Sequence, residues 1–304
     1  MKNVLVTGGL GLLGNHLTNF LDKKNFKIFV LDKSKYRGKG LLTSKNIYFI
    51  NGNFQNKKLV KNILKNKKIN VVFHLGGSTQ VSKSLNNPYK TYKNNVIGTL
   101  NLLECIRKIN NDILFIYSST PQNKNYNLYN PYFLSKFCSD FLCASYSKIY
   151  NLKTIVVKCV NLYGPGDLNI NRIIPYTILS SLKKKKIKLQ SSGNLVTGYI
   201  YIDDVVKAYF LIMKKNLNKV GEKHLVYNVS SKYNISVLDL VNLILRLMKR
   251  NELKQRAIKQ NNNNKPKQQK LNDSKIKNLG WKQKVSLRKG LIKTIIWYEK
   301  VFKF

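Results

Sequence analysis

Tyr132-Phe133-Leu134-Ser135-Lys136 sets a phenol and an amine four residues apart, a spacing that puts both side chains on one face of a helix. Lys136 so placed can stabilise Tyr132 as a phenolate. Such a base can take the proton of a sugar hydroxyl while hydride leaves the same carbon for a nicotinamide. Ser119, which follows the apolar run Ile113-Leu114-Phe115-Ile116-Tyr117, can hydrogen-bond the same oxygen. With 18 tyrosines and 55 lysines and arginines in the chain, the spacing alone is close to chance. Its weight comes from position, directly after the fifth strand of an alternating strand and helix pattern.

A second constellation lies at the amino end. Asn3-Val4-Leu5-Val6-Thr7 reads as a strand, then comes Gly8-Gly9-Leu10-Gly11-Leu12-Leu13-Gly14, then a helix with Leu13, Leu17, Phe20 and Leu21 at helical spacing. Gly8, Gly11 and Gly14 suit a tight strand-to-helix turn, close backbone approach to a pyrophosphate and close packing of helix on strand. The first helical residues, Leu12 and Leu13, then offer backbone N–H groups to the anion. The next strand, Ile28-Phe29-Val30-Leu31, delivers Asp32, which at about twenty residues past the loop can accept from both hydroxyls of an adenosine ribose and repel a 2′-phosphate. NAD is therefore expected over NADP. Lys33, Lys35 and Arg37 weaken that preference without removing it.

The elements that must hold these groups follow in order. Ile47-Tyr48-Phe49-Ile50 and Val71-Val72-Phe73-His74-Leu75 are the third and fourth strands, with Leu59, Val60, Ile63 and Leu64 marking a helix between them. Pro88 opens a long helical stretch, another helix runs from about Tyr132 to Tyr150, and Thr154 to Lys158 is a sixth strand. Strands alternating with helices predict a doubly wound parallel α/β sheet of Rossmann type, which binds ligands at the carboxyl ends of its strands. The glycine loop, Asp32, Asn53, Gly76-Gly77 and Ser118-Ser119 all fall at such ends. Past Gly166 the rhythm changes, with a helix over Ile173 to Leu182, a strand over Tyr199 to Ile202 that is expected to return to the sheet, a capped helix at Ser236 and a last helix from Ser286 to Phe302. The expected division is an NAD-binding domain over 1–165 and a smaller, partly interleaved α/β substrate domain over 166–304, with about 196–216 returning to the first.

Composition sets the outer bounds. The chain has 304 residues and a formal net charge of +42. Such an excess attracts anions of every kind, nucleic acid included. The lysines are nevertheless spread along the chain, among many Asn, Ile, Tyr and Phe, so a bias toward AT-rich codons accounts for the charge better than selection for a partner. Local basic runs occur only at Lys183–Lys186 and in the tract Arg256–Lys270. No apolar run is long enough to cross a bilayer and the chain enters a strand at once, so the cytosol is expected, without membrane contact. Cys105, Cys138, Cys143 and Cys159 lack metal or CxxC spacing and lie in apolar segments, as do reduced thiols. His16, His74 and His224, the last read as lying in a polar turn, share no metal spacing, and no metal is expected.

Taken together these motifs resemble the extended short-chain dehydrogenase/reductases, specifically the NAD-dependent nucleotide-sugar epimerase/dehydratase family. The resemblance runs through Thr7-Gly8-x-x-Gly11-x-x-Gly14, Asp32, His74-Leu75-Gly76-Gly77, Asn95-Val96-Ile97-Gly98-Thr99, Tyr132-x-x-x-Lys136, Asn161 with Tyr163-Gly164-Pro165-Gly166, and Leu279-Gly280-Trp281. The stretch Asn161 to Pro175 is most similar to the CDP-glucose and GDP-mannose 4,6-dehydratase branch. The resemblance implies NAD held by the first domain, with Asn53, Leu75, Gly76, Gly77 and Asn95 joining the glycine loop and Asp32 in the cofactor site. It also implies a nucleotide diphospho-sugar between the domains, met by Asn161, with Tyr132, Lys136 and Ser119 catalytic. A homodimer built from the Pro88–Lys108 and Tyr132–Tyr150 helices is implied as well.

Three departures bear on the reaction. Thr120 and Pro121 stand where the dehydratases carry an acid pair, Thr197-Gly198 replaces an Arg-Asp whose Arg grips the diphosphate, and Asn53 replaces the acid that meets adenine. The connection from Ser119 to Tyr132 is also short for the family. Oxidation at C4 followed by either 4,6-dehydration or 4-epimerisation is the expected activity, with Arg172 a substitute phosphate clamp. The alternative is a catalytically degenerate member that binds nucleotide or RNA.

Overall fold

The computed structural model describes residues 2–34, 44–121, 129–189, 192–218, 223–253 and 271–302. Lys35, Arg37, residues 122–128 of the Ser119–Tyr132 connection and the basic tract 256–270 lie outside the described residues.

Elements alternate through the first half: β1 (Asn3–Thr7), α1 (Leu12–Asp22), β2 (Lys27–Asp32), β3 (Ile47–Asn51), α2 (Lys57–Asn66), β4 (Val71–His74), α3 (Val81–Asn86), α4 (Pro88–Tyr92), a π-helical turn over Lys93–Ile97, α5 (Gly98–Ile109), β5 (Leu114–Ser119), α6 (Pro131–Tyr150) and β6 (Thr154–Cys159). The second half adds β7 (Asn161–Tyr163), α7 (Ile173–Leu182), β8 (Val196–Tyr201), α8 (Ile202–Asn216), β9 (His224–Val229), β10 (Asn234–Ser236), α9 (Val237–Leu247), α10 (Ser274–Asn278) and α11 (Leu287–Val301). Caps fall where short polar side chains can reach back: Asn130 accepts from the Tyr132 amide, Ser236 from Asp239 and Ser286 from Lys289. The long helix opened by Pro88 is interrupted by the π turn. There the hydroxyls of Thr99 and Ser139 both donate to the Asn95 carbonyl, at 2.6 and 2.9 Å.

The chain separates into two compact units. The first comprises 1–159, 206–229 and 272–281, the second 160–205, 230–271 and 282–304. In the first, seven parallel strands order as β3-β2-β1-β4-β5-β6-β9 with helices on the sheet, a Rossmann-like α/β fold. Strand order reverses between β1 and β4, so the loops after these two strands flank the crevice where such sheets take ligands. The core is made of fully buried branched aliphatic and aromatic side chains such as Leu5, Val72, Phe115 and Val156. Each such side chain contributes about 1.5–3 kcal/mol on leaving water. In the second unit β10-β8-β7 form a separate small sheet, with β7 parallel and β10 antiparallel to β8.

Two expectations need correction. The Tyr199–Ile202 stretch does not return to the main sheet, because Tyr199, Ile200 and Tyr201 pair instead with Asn161, Leu162 and Tyr163. An apolar run reads alike in either sheet. The seventh strand is β9, which begins at His224, so that residue does not lie in a polar turn. Its Nδ1 meets the Thr154 hydroxyl at 2.8 Å. Alternate exposure along β9 fits a half-buried edge strand.

Candidate active site

The glycine loop owes its shape to two close approaches. Gly8 has φ +68°, and a side chain there would lie 2.6 Å from the Gly76 Cα in the loop that follows β4. A methyl on Gly14 would sit 2.3 Å from the Gly8 carbonyl oxygen. Loop and helix therefore nest without side chains between them. Gly11 caps α1 with no side-chain hydrogen bond, so no capping side chain covers the first-turn amides of Leu12 and Leu13. Asp32 closes the far side: one carboxylate oxygen accepts the Leu10 amide at 3.2 Å and the other the Ser34 amide at 3.0 Å. These residues fit an adenine dinucleotide, with a glycine cradle for the pyrophosphate and a carboxylate for the ribose.

Behind the loop runs a buried chain of hydrogen bonds. Thr7 Oγ1 accepts the Gly76 amide at 3.3 Å and meets His74 Nδ1 at 2.7 Å. His74 Nε2 meets Thr99 Oγ1 at 3.1 Å, and Thr99 donates to the Asn95 carbonyl. Since Thr99 spends its hydrogen on that carbonyl, Nε2 is the donor and Nδ1 accepts from Thr7. Burial, with the Lys136 charge adding to it, pulls the His74 pKa down to about 3. A neutral imidazole thus ties β1, β4 and α5 together.

Asn95, expected at the cofactor, is buried with its amide engaged. Its Oδ1 accepts the Ser78 amide at 2.7 Å, and Nδ2 donates to the Ser78 carbonyl at 3.1 Å and to Ser135 Oγ at 2.8 Å. It links the loop after β4 to α6. Asn53 is exposed after β3, and its Oδ1 accepts the Gln55 amide at 3.0 Å. Leu75 donates to the Thr7 carbonyl at 3.2 Å.

On α6, Tyr132 stands in the first turn and Lys136 one turn on. Lys136 is 7 % exposed; its Nζ donates to the Ser118 carbonyl at 2.9 Å and lies 4.8 Å from the centre of the Tyr117 ring. Burial lowers its pKa to about 8, with the Asp140 charge opposing. Ser119 sits at the carboxyl end of β5, buried, its hydroxyl without a regular hydrogen-bond partner among the described residues. Tyr132, Lys136 and Ser119 are thus brought to the same end of the first unit's sheet as the glycine loop. Thr120 is half-buried and Pro121 buried, and neither carries an acid.

Asn161 and Arg172 belong to the second unit. Asn161 Nδ2 donates to Thr197 Oγ1 at 3.0 Å and the Gly198 carbonyl at 3.3 Å. Arg172 Nη1 pairs with the buried Asp167 at 3.0 Å, and the Asp167 carbonyl accepts from the Tyr298 hydroxyl. Sequence reasoning did not single out Asp140 and Lys158, which pair at 3.0 Å beneath the Tyr132 and Lys136 face. The available signals were an acid one turn beyond Lys136 and a lysine inside an otherwise apolar strand. No group of three or more potential metal ligands occurs among the described residues.

Residues 4–230 match the NAD dependent epimerase/dehydratase family. The chain is similar to dTDP-D-glucose 4,6-dehydratase of Dictyostelium discoideum, with 32% identity over 98% of this chain and 82% of that one. Among solved structures it is similar to UDP-glucose 4-epimerase of Thermotoga maritima with UDP-glucose, at TM-score 0.83 and 26% identity over 98% of this chain and 99% of that one. It is also similar to dTDP-glucose 4,6-dehydratase of Bacillus anthracis in complex with NAD, at TM-score 0.83 and 26% identity over 100% of this chain and 98% of that one.

Proposed function

The chain belongs to the NAD dependent epimerase/dehydratase family, and on that premise we propose that it oxidises C4 of a nucleotide-diphospho-hexose to the 4-keto sugar. The observation that carries the reading is the placement of Tyr132, a buried Lys136 and the buried Ser119 hydroxyl at the carboxyl ends of strands that also carry the glycine loop. NAD, when bound, supplies the reversible two-electron acceptor. Gly8, Gly11, Gly14 and the amides of Leu12 and Leu13 hold its pyrophosphate, and Asp32 selects its ribose. Tyr132 takes the proton from the C4 hydroxyl, Lys136 stabilises the phenolate, and Ser119 orients the sugar oxygen. Asn161 meets the substrate and Arg172 its diphosphate.

After oxidation two outcomes are open to the family, and one observation bears on the choice between them. Expelling the C6 hydroxyl as water needs a proton donor, and positions 120 and 121 hold threonine and proline. Return of hydrogen to the other face of C4 needs no such acid, which favours 4-epimerisation. The relatives named 4,6-dehydratase support the other outcome.

Exposed apolar side chains on the paired helices, Tyr89 and Ile97 on one stretch and Phe141, Ile149 and Tyr150 on the other, support a homodimer through these faces. Four free cysteines are in keeping with a reducing compartment such as the cytosol. No helix among the described residues is long and apolar enough to cross a membrane.

The test is incubation of the protein and NAD with CDP-, GDP-, UDP- and dTDP-hexoses, followed by mass and NMR analysis of the products. Unchanged mass with inverted C4 supports epimerisation, and loss of water supports dehydration. Lack of turnover on every sugar, with NAD still bound, overturns the enzymatic reading and leaves the binding protein.

A further inference from the structure

Lys136 is not alone under its helix. Asp140 follows it by one turn of α6, and the Asp140 carboxylate meets Lys158 Nζ at 3.0 Å, with side chains only 11% and 15% exposed. Lys158 reaches that spot because β5 and β6 pair Ser119 with Lys158, so the strand that ends in Ser119 lies beside the one that supplies the ammonium. Burial pushes the Asp140 carboxyl above the usual carboxylate range, and the Lys158 ammonium, the Ser119 hydroxyl and the Lys136 ammonium oppose that shift in favour of the ionised form. Tyr132, Lys136 and Asp140 therefore lie along one face of α6, above Ser119 and Lys158 on adjacent strands.

We propose that Asp140 is a positioning residue of this site: shared with Lys158, its carboxylate is the buried counter-charge that keeps Lys136 an ammonium and draws the hydrogen of the Ser119 hydroxyl toward itself. The proposal deepens the catalytic reading of Tyr132, Lys136 and Ser119 and rests on it. A buried ammonium costs free energy unless it is compensated, and Asp140 is the carboxylate that compensates this one. The other titratable groups facing the pair cannot do so. They are Tyr117 from β5, His74 from β4, Lys158 from β6, and Tyr132 and Cys143 from α6 itself. Tyr117 and Cys143 are held neutral by burial, which raises both pKa values well above their ordinary range. His74 is neutral for the opposite reason. With its hydrogen directed at Asp140, the Ser119 oxygen presents lone pairs outward, ready to accept from a substrate hydroxyl.

The test measures Lys136 itself. Competitive trace acetylation of the whole protein with acetic anhydride across pH, read by peptide mass spectrometry, gives the protonation midpoint of Lys136 without any need for turnover. In Asp140→Asn the midpoint falls by about one pH unit or more. The double variant Asp140→Asn with Lys158→Met removes the orphaned Lys158 charge, so its melting temperature recovers toward the native value while the Lys136 midpoint stays low. A role confined to folding predicts the reverse, stability lost and regained with the midpoint unmoved, and that result overturns the proposal. Should the single variant not fold, the midpoint in the double variant decides. Where the native protein turns over a nucleotide sugar, the alkaline limb of kcat against pH moves with the midpoint. Failure of every sugar as substrate sinks the catalytic reading and leaves the labelling result standing as a test of Asp140.

Discussion

The Asp32 carboxylate accepts the backbone N–H of Leu10 at 3.2 Å, which fastens the acid that ends β2 to the glycine loop that follows β1. With Ser34 on its other oxygen, each oxygen keeps a lone pair for a ribose hydroxyl. Replacement by serine removes both the charge that repels a 2′-phosphate and the tie to Leu10. Titration of Asp32→Ser with the two dinucleotides should show NAD affinity falling about tenfold while NADP holds or improves, the size of one charge-assisted hydrogen bond. Equal losses for both would mean that Asp32 acts only through the loop.

Gly14→Ala tests the loop from its other side. The added methyl would meet the Gly8 carbonyl at 2.3 Å, a backbone contact that cannot swing away. Loop and helix must part, and the amides of Leu12 and Leu13 lose their aim. NAD should raise the melting temperature of the native protein and leave that of Gly14→Ala unchanged. A full NAD-dependent shift in the variant would show that the pyrophosphate is held elsewhere.

Tyr132→Phe removes the proposed base and keeps the ring on its helix, so kcat should fall about 10²- to 10⁴-fold with NAD binding preserved. Lys136 adds a pH signature. Its pKa is lowered to about 8 by burial, so the ammonium is present below that pH and lost above it. Turnover that depends on the ammonium should decline as pH rises through about 8. A kcat profile flat to pH 10 would remove Lys136 from the proton chemistry.

Arg172 pairs with Asp167 through one of its nitrogens, which leaves the rest of the fork for a phosphate. Arg172→Ala should weaken nucleotide-sugar binding roughly tenfold or more, the size of a lost charge-assisted contact. Isothermal titration with a UDP- or dTDP-hexose reads this directly, and unchanged affinity would retire Arg172 as the clamp.

Much of the first unit was legible because its signals are local. The glycine loop, Asp32 and the Tyr132–Lys136 spacing each fit within one strand-to-helix step, where periodicity and turn chemistry act. The strand over 199–202 differs from expectation because an apolar run does not encode its partner, and the start of β9 differs because the half-buried His224 reads as a polar turn. Asp140 and Lys158 were missed for the same reason. Their pairing depends on the register that sets Ser119 against Lys158, a contact between chain segments that no single window contains.

His74 carries the last prediction, on stability rather than turnover. Its native pKa of about 3 lies below the ordinary value of 6.5, because burial excludes the charged ring and the Lys136 ammonium adds to the penalty. Between those values the unfolded chain takes up a proton that the native chain refuses, so native stability is complete above pH 6.5 and drains away as pH falls toward 3. The slope is about 1.4 kcal/mol per pH unit once pH is well below 6.5, or about 2 kcal/mol between pH 7 and 5. In His74→Gln, which keeps a donor and an acceptor but no titrating ring, that slope should be absent. Urea unfolding of both proteins at pH 7 and pH 5 reads the difference: the native protein's advantage over the variant should shrink by about 2 kcal/mol on acidification. An advantage that stays constant would mean that the ring takes up its proton in the folded state, and that the chain from Thr7 through His74 to Thr99 opens well above pH 3.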